Sequence, residues 1–402
     1  MALVPALAQH ERVAIQLIES VTIRKLEWEA EGRRQERGFY PTAYDGGVTP
    51  QTGFILEVRT DAGITGEYTW TTGINGHAAD HIRSIAPWLI GHDAMQRERI
   101  WNELRRVWRK YDQLGLGPLD CALWDLAGKT YGVPLWELLG GYRKRLPAYA
   151  STLFGDDAGL GPLGTPAAYA EFATYCVSLG YRAIKLHGWN DGDIRREIEL
   201  VFAVREAVGP DIALMLDPSG AYNTFGDVLT VGRALDEANF YWYEDPGIEG
   251  GNSAFAYRKL RELLKTPFLQ GEHIRGLQLR MDNILAGGTD FMRADAGLDG
   301  GVTGVMKTAH AAEALGVDVE LHATSAVHRH LMASIRNSNF YELGLVAPSL
   351  NEVSPPFFES YADRLDEIDS DGTVGVPDGP GLGTPLDRDW IIAHQTDIFV
   401  AD

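Results

Sequence analysis

The chain has 402 residues and a formal net charge of −20, with 45% hydrophobic and 23% charged residues. This length exceeds what one hydrophobic core usually organises, so we expect two structural units. The acidic balance argues against nucleic acid and membrane surfaces as partners, and no apolar stretch approaches the ~20 residues of a membrane span. The apolar run at the N-terminus has neither a preceding basic residue nor a clear cleavage pattern. We therefore expect a soluble, cytoplasmic protein.

The first strand-like segments alternate apolar and polar residues. Residues 12–28 show this pattern, and residues 53–69 repeat it around an Asp-Ala-Gly turn. The alternation predicts antiparallel strands with one face exposed to solvent. Residues 33–52 lie between them and mix Gly, Pro, aromatic and basic residues. They fit either a flexible hairpin loop or, from their length and aromatic content, a lid over a substrate.

The pattern becomes helical from Ala78 to Leu139, where apolar residues recur every three or four positions. Gly140 and Gly141 end this run, as glycines commonly do after a helix. Strands followed by helices indicate an α+β unit, which we place at residues 1–140.

After Arg145, short apolar runs alternate with helical segments. Eight strand-like runs lie at residues 146–154, 183–188, 213–218, 240–246, 268–273, 291–297, 318–323 and 340–345. Their alternation with helices predicts an α/β unit, a (β/α) barrel at residues 141–350. In the remaining segment, 351–402, the Gly- and Pro-rich stretch 371–391 is expected to be extended chain that returns to the N-terminal unit; a linker is the alternative.

Three of the predicted strands end in a carboxylate, at Asp217, Glu244 and Glu272. Their separations of 27 and 28 positions match a loop, a helix and the next parallel strand. Neighbouring strands would then aim all three carboxylates at one point, where their repulsion favours a bound cation. Oxygen ligands without cysteine indicate a hard ion, and Mg²⁺ is the first choice. Three unrelated acidic loop residues are the alternative, which leaves the repeating interval unexplained.

Other strand ends are also polar. Lys185 and His187 lie two positions apart on the second strand and therefore point to the same side. The sixth strand ends in Asp295 and the seventh in His322, so the carboxylate can orient the imidazole and raise its basicity. Two opposed proton-transfer groups around a divalent ion suit removal of a proton next to a carboxylate, through an enediolate. Considered alone, His322 has an alternative interpretation, as a hydrogen-bonded histidine of the core.

Eight segments along the chain carry a resemblance to a known family. They are DCALWDLAGKTYGVPLWELLGG (120–141), IKLH (184–187), LDPSGAY (216–222), YEDP (243–246), GEH (271–273), RADAGLDGGVTGVMK (293–307), ELHAT (320–324) and VPDGPGLG (376–383). Together, and in this order, they resemble the enolase superfamily and, within it, the mandelate racemase subgroup.

The resemblance implies a modified TIM barrel of (β/α)7β type, with an α+β capping domain formed by the N-terminal region and the C-terminal tail. It implies that Asp217, Glu244 and Glu272 bind Mg²⁺, and that His322 and Asp295 form the general acid/base dyad. Glu342, in the eighth strand, resembles the glutamate that hydrogen-bonds the substrate carboxylate.

The resemblance also favours a lid, since loops near 33–45 and 68–78 would close the barrel mouth and select the substrate. Candidate substrate-binding residues are Arg33, Arg34, Arg37, Tyr40 and His273. The implied partner is a small carboxylate such as a sugar acid, and relatives of this kind assemble as homo-oligomers.

One departure from the subgroup affects the predicted reaction. The racemase has Lys-x-Lys on the second strand, whereas this chain has Lys185-x-His187, which argues against direct racemisation. A single histidine can act as base and then as acid, so we expect a Mg²⁺-dependent dehydratase of acid sugars that yields a 2-keto-3-deoxy acid. A racemase or epimerase of a 2-hydroxy acid is the first alternative. A cycloisomerase, a non-catalytic ligand or metal binder, and a structural scaffold are weaker ones.

Overall fold

The computed structural model describes residues 15–31, 48–71, 75–155, 162–248, 250–350, 352 and 354–402. The N-terminal region forms three antiparallel strands, β1 (Ile18–Glu31), β2 (Val48–Thr60) and β3 (Thr65–Trp70). Buried and more exposed residues alternate along β3, as the sequence predicts. The second predicted segment contains two strands, because the Asp-Ala-Gly turn pairs Arg59 with Thr65 and begins a hairpin.

Four helices follow the hairpin, as the apolar periodicity predicts. They are α1 (Asn75–Leu89), α2 (Arg97–Val107), α3 (Leu116–Tyr131) and α4 (Leu135–Leu138). Helix α3 is buried along most of its length because it packs against the sheet, at β2 and β3, and against the neighbouring helices α2 and α4. Gly132 adopts a left-handed φ of 68° and ends this helix.

All eight predicted barrel strands are present. They are β4 (Arg145–Thr152), β5 (Ala183–Leu186), β6 (Ala213–Leu216), β7 (Trp242–Glu244), β8 (Phe268–Gln270), β9 (Phe291–Ala294), β10 (Asp318–Leu321) and β11 (Tyr341–Val346). The helices that connect or follow them are α5 (Pro166–Leu179), α6 (Ile194–Val208), α7 (Phe225–Glu237), α8 (Ala254–Leu263), α9 (Leu277–Leu285), α10 (Gly301–Ala314) and α11 (Ala326–Ser334).

These strands form a nearly closed parallel barrel in the order β10-β9-β8-β7-β6-β5-β4-β11. The fold prediction is therefore confirmed. The barrel interior is packed with Tyr149, Met215, Trp242 and Leu269, so it is a filled core with its functional end at the carboxyl ends of the strands. Most of these strands stop two or three residues earlier than the sequence patterns suggest. The first position after a strand is therefore where the structure places His187, Asp217, Asp295 and His322.

The C-terminal segment contacts both sheets. Strand β12 (Thr373–Gly375) pairs with β4 of the barrel, and α12 (Arg388–His394) leads into the last strand, β13 (Gln395–Ala401). Strand β13 pairs with β1, so the N-terminal sheet has the order β13-β1-β2-β3. The last strand thus returns to the N-terminal unit. The numerical boundaries at 140 and 350 stay predictions.

Two aspartates of α3 attach the N-terminal unit to the barrel and to the tail. Asp120 accepts hydrogen bonds from the backbone N–H and the hydroxyl of Thr303, at the start of α10. Asp125 accepts from the backbone N–H groups of Glu67 in β3 and Leu382 in the tail, each at 2.7 Å. Within the described part of the chain, no helix combines the length and the apolar character needed to cross a membrane.

Candidate active site

The three predicted metal ligands meet at the carboxyl end of the barrel. Asp217 follows β6, Glu244 is the last residue of β7, and Glu272 lies two residues after β8. One carboxylate oxygen from each lies within 4.8 Å of the others. Asp217 and Glu244 are buried, whereas Glu272 is half-buried. Parallel neighbouring strands bring these carboxylates together, as the sequence spacing predicts.

The polar atoms around this cluster fit a divalent cation. Asp245, next to Glu244, is 1% exposed, and neither of its carboxylate oxygens has a hydrogen-bond partner. Burial and then the charges of Glu272 and Glu244 raise the pKa of Asp245 well above its usual range. Asp245 thus adds a fourth carboxyl group, without partners of its own, to the three clustered carboxylates, and this all-oxygen donor set suits a hard ion.

Lys185 is a buried cation below the carboxylates. Its Nζ atom lies 3.1 Å from Asp217 Oδ2 and 3.1 Å from Glu244 Oε2. A third contact, of 2.8 Å, joins it to Glu342 Oε1. Burial alone would lower the pKa of Lys185, but Glu244 and Glu342 outweigh that effect and raise the pKa well above its usual range. This arrangement makes Lys185 a fixed positive charge and a poor proton acceptor.

Glu342 is surrounded by hydrogen-bond donors. Its Oε1 accepts from the hydroxyl of Ser151, and its Oε2 accepts from the backbone N–H of Ala323, both at 2.8 Å. Burial would raise the pKa of Glu342, but Lys185 and Arg293 lower it well below the usual range. An ionised glutamate accepts hydrogen bonds but cannot donate them. The predicted hydrogen bond from Glu342 to a substrate carboxylate is thus not favoured by this state, and that role stays a prediction.

His187 projects beside Asp217 from the opposite side of the barrel to His322. Its Nδ1 lies 2.6 Å from the carbonyl oxygen of Thr152, and its Nε2 lies 3.2 Å from Asp217 Oδ2. The carbonyl oxygen of Thr152 is an acceptor, so its contact with Nδ1 suits a proton on that nitrogen. The other ring nitrogen, Nε2, is the one that faces the carboxylate cluster.

The predicted dyad is formed across two adjacent strands. His322 follows β10, and its Nδ1 lies 2.7 Å from Oδ2 of Asp295, which follows β9. The other ring nitrogen, Nε2, lies 3.5 Å from Glu272 Oε1 at the edge of the carboxylate cluster. Burial lowers the pKa of His322, but the charge of Glu272 and the hydrogen bond to Asp295 raise it more, to about 9. Burial would raise the pKa of Asp295, but the hydrogen bond from His322 helps lower it to about 2.

The backbone turns sharply after several of these side chains. Ser219, Asp245 and Ala323 have positive φ values of 49°, 31° and 63°, which non-glycine residues rarely adopt. They come two, one and one positions after Asp217, Glu244 and His322. Backbone strain of this kind persists where surrounding structure enforces it, and it is concentrated at functional sites.

The predicted substrate-binding residues have mixed outcomes. His273 is exposed, and its Nε2 lies 3.9 Å from Asp245 Oδ2, next to the carboxylate cluster. Arg33, Arg34, Arg37 and Tyr40 lie outside the described residues. The second predicted loop is described in part: Trp70, at the end of β3, lines a cavity of about 560 Å³ together with Asp295 and Thr324.

The sequence interpretation missed two residues of the site. Arg293 is fully buried, and its guanidinium contacts both Glu244 and Glu342. A sequence signal for it exists, because Arg293 precedes Asp295 by two positions in an apolar strand and therefore shares its inward-facing side. Asp245 was also missed, although it directly follows a predicted ligand in the Glu-Asp-Pro motif.

Comparisons with known proteins agree with this architecture. The family model for the enolase C-terminal domain-like fold matches residues 168–390. The model for the N-terminal domain of mandelate racemase and muconate lactonizing enzyme matches residues 41–140.

Among similar curated proteins, D-galactarolactone cycloisomerase of Agrobacterium fabrum is 29% identical over 350 residues, covering 83% of this chain and 89% of that protein. L-talarate/galactarate dehydratase of Salmonella typhimurium is 28% identical over 345 residues, covering 83% of this chain and 80% of that protein.

Among solved structures, that of D-glucarate dehydratase from Agrobacterium tumefaciens complexed with magnesium is similar, with a TM-score of 0.84 and 33% identity. The match covers 96% of this chain and 100% of that chain. Both halves of the chain therefore match the same group, over nearly their whole length, and the chain belongs to the enolase superfamily, in its mandelate racemase and muconate lactonizing enzyme group.

Proposed function

We propose that this protein is a Mg²⁺-dependent dehydratase of an acid sugar, an aldonate or an aldarate. The observation that carries the proposal is the position of His322, held by Asp295 and with its second ring nitrogen 3.5 Å from Glu272. A proton-transfer group thus stands at the edge of a carboxylate cluster that suits a divalent ion. The dehydratase names of similar proteins, on galactarate and glucarate, support the same reaction class.

In the proposed reaction, His322 Nε2 takes the proton from the carbon next to the substrate carboxylate. The electron pair of that C–H bond forms a carbon–carbon double bond, and the β-hydroxyl leaves with a proton from His322 as water. The enol that remains becomes a 2-keto-3-deoxy acid by gaining a proton at carbon. Mg²⁺, held by Asp217, Glu244 and Glu272, would offset the negative charge that develops at the substrate carboxylate. Lys185 adds a fixed positive charge beside it.

His187 supports a second candidate function. Its ring contacts Thr152 through Nδ1 and Asp217 through Nε2, on the other side of the carboxylate cluster, where a proton donor could complete an inversion at the same carbon. A racemase or epimerase of a 2-hydroxy acid therefore remains the alternative. The cycloisomerase name of one relative makes lactones of acid sugars a further substrate class worth including in the test.

The test is a screen of aldonic acids, aldaric acids and their lactones with Mg²⁺, in which formation of a 2-keto acid is measured. A 2-keto product that appears with loss of water supports the dehydratase. Exchange of the α-proton with inversion and no 2-keto product would identify the epimerase. We also propose that the protein acts in the cytoplasm and forms a homo-oligomer; size measurement in solution tests the latter.

A further inference from the structure

Four charged side chains close into a ring inside the barrel: Lys185, Glu244, Arg293 and Glu342. Glu244 gives Oε2 to Lys185 at 3.1 Å and Oε1 to Arg293 Nε at 2.7 Å. Glu342 does the same, with Oε1 at 2.8 Å from Lys185 and Oε2 at 3.0 Å from Arg293 Nη2. Positive and negative charges alternate, and each carboxylate is held by a different cation at each oxygen.

Arg293 is the least adaptable member of this ring. Its guanidinium also donates to the carbonyl oxygen of Leu321 at 3.1 Å and to the hydroxyl of Tyr149 at 3.0 Å. The side chain is completely buried. A planar guanidinium with partners on three of its sides has one orientation, whereas the ammonium of Lys185 can rotate about its stem.

We infer that Arg293 is a positioning residue, which fixes the carboxylate of Glu244 in the orientation that binds the metal ion. The inference rests on the proposed role of Glu244 as a ligand. Because Arg293 contacts Oε1 and Lys185 contacts Oε2, the carboxylate plane of Glu244 is set from both sides by groups of the protein itself. Partners that orient a ligand in this way govern metal affinity in many proteins.

Arg293 has two opposing effects on the affinity of the site for a metal ion. As a positive charge close to the site, Arg293 repels a dication, so charge alone predicts tighter metal binding when the arginine is removed. As an orienting group, it lowers the cost of arranging the ligands, so positioning predicts weaker binding. The direction of the change in metal affinity therefore separates the two.

The experiment is a titration of the metal-free protein with Mn²⁺, in which free Mn²⁺ is measured by electron paramagnetic resonance. Arg293→Met keeps most of the side-chain volume and removes the guanidinium. We expect its Kd for Mn²⁺ to rise by roughly 10- to 100-fold, the usual effect of losing a group that orients a ligand. An unchanged or lower Kd would overturn the inference.

Arg329→Met is the matched control. Arg329 is also buried, but its ion-pair partners are Asp363, at 2.6 Å, and Glu367, neither of which belongs to the ring of four charged side chains. We expect this variant to unfold more easily and to keep the Kd of the unaltered protein. Stability loss alone is thereby separated from a specific effect on metal binding.

A second variant covers the case in which Arg293→Met does not fold. Arg293→Lys keeps the positive charge but cannot reach both carboxylates and Leu321 in the same geometry. We expect a smaller rise in Kd in the same direction, and an affinity equal to that of the unaltered protein would overturn the inference. If the unaltered protein itself fails to bind Mn²⁺, the proposed metal site is wrong. That failure is distinct from an Arg293 variant that binds normally.

Discussion

The Nδ1 atom of His322 lies 2.7 Å from Oδ2 of Asp295, although the two residues come from loops after different strands. This contact leaves Nε2 free of Asp295 and directs it toward Glu272, at 3.5 Å. The base strength of His322 is therefore linked to the charge on a proposed metal ligand. Glu272 thus connects the proposed metal binding with proton transfer by His322.

The first prediction follows from this link. The pKa of His322 is raised to about 9, because the charge of Glu272 and the hydrogen bond to Asp295 outweigh the effect of burial. A cation on Glu272 neutralises that charge, so Mg²⁺ should lower the pKa of His322 by roughly 1–3 units and make the ring a base at neutral pH. Titration of the histidine ring signals by NMR, with and without Mg²⁺, measures the change. His322→Asn assigns the signal, and one pKa in both states would contradict the prediction.

The second prediction compares two proposed ligands. Glu272 is half-buried and forms an ion-pair contact with His322, whereas Glu244 is completely buried between Lys185 and Arg293. Glu272→Gln and Glu244→Gln should both abolish metal binding. Only Glu244→Gln should also lower the free energy of unfolding, by about 3 kcal/mol, because it leaves two buried cations with one carboxylate fewer. Calorimetric metal titration and urea unfolding measure the two effects; metal binding that survives in either variant would remove that residue from the ligand set.

The third prediction concerns residues 33–45, which lie outside the described part of the chain. If this segment closes over the substrate, saturating sugar acid with Mg²⁺ should slow its cleavage by a protease. Arg33, Arg34 and Arg37 are candidates to contact a second carboxylate, so replacing them should raise KM for a diacid more than for a monoacid. Gel analysis over time measures the cleavage. Equal rates with and without ligand would indicate that the segment does not cover the site.

Much of the fold and the centre of the site could be predicted from the sequence. A strand has a period of two and ends at turn residues, so Asp217, Glu244 and Glu272 could be placed at neighbouring strand ends from spacing alone. Asp295 and His322 could be paired for the same reason. Family resemblance then supplied roles that spacing does not contain.

The ring through Arg293 could not be predicted in this way. Its members come from β5, β7, β9 and β11, and their contacts pass across the barrel interior. Sequence spacing fixes which way a side chain faces, but the distance across a barrel depends on how the interior is packed. The unpaired oxygens of Asp245 were missed for a related reason, because a lack of partners is visible only when all neighbours are placed.

The fourth prediction tests the attachment of the N-terminal unit. Asp125 joins α3 to β3 and to the tail through two backbone N–H groups, and it also pairs with Lys129 at 2.8 Å. Asp125→Ala should lower the free energy of unfolding by about 3 kcal/mol, since three buried or partly buried partners lose their acceptor. Glu103→Ala, which removes an exposed ion pair with Arg106, is the control and should cost less than about 1 kcal/mol. Urea unfolding compares them, and equal losses would show that Asp125 is not a structural attachment.

The fifth prediction separates the two histidines. His322 is held by Asp295 and becomes a base once a cation neutralises Glu272, whereas His187 faces an acceptor at each nitrogen. His322→Asn should therefore eliminate both exchange of the α-proton in D₂O and formation of the 2-keto acid. His187→Asn should slow turnover or weaken binding but retain exchange, because its ring does not remove the proton.

Exchange by NMR and 2-keto acid formation are measured on the same samples, so the two steps can be compared directly. The reverse result, exchange kept in His322→Asn and lost in His187→Asn, would place the base on β5 and leave His322 as the acid. If each variant instead lost inversion in one direction only, the two histidines would act on opposite faces of one carbon. The enzyme would then be an epimerase, because a dehydratase that uses one histidine for both proton transfers cannot lose them separately.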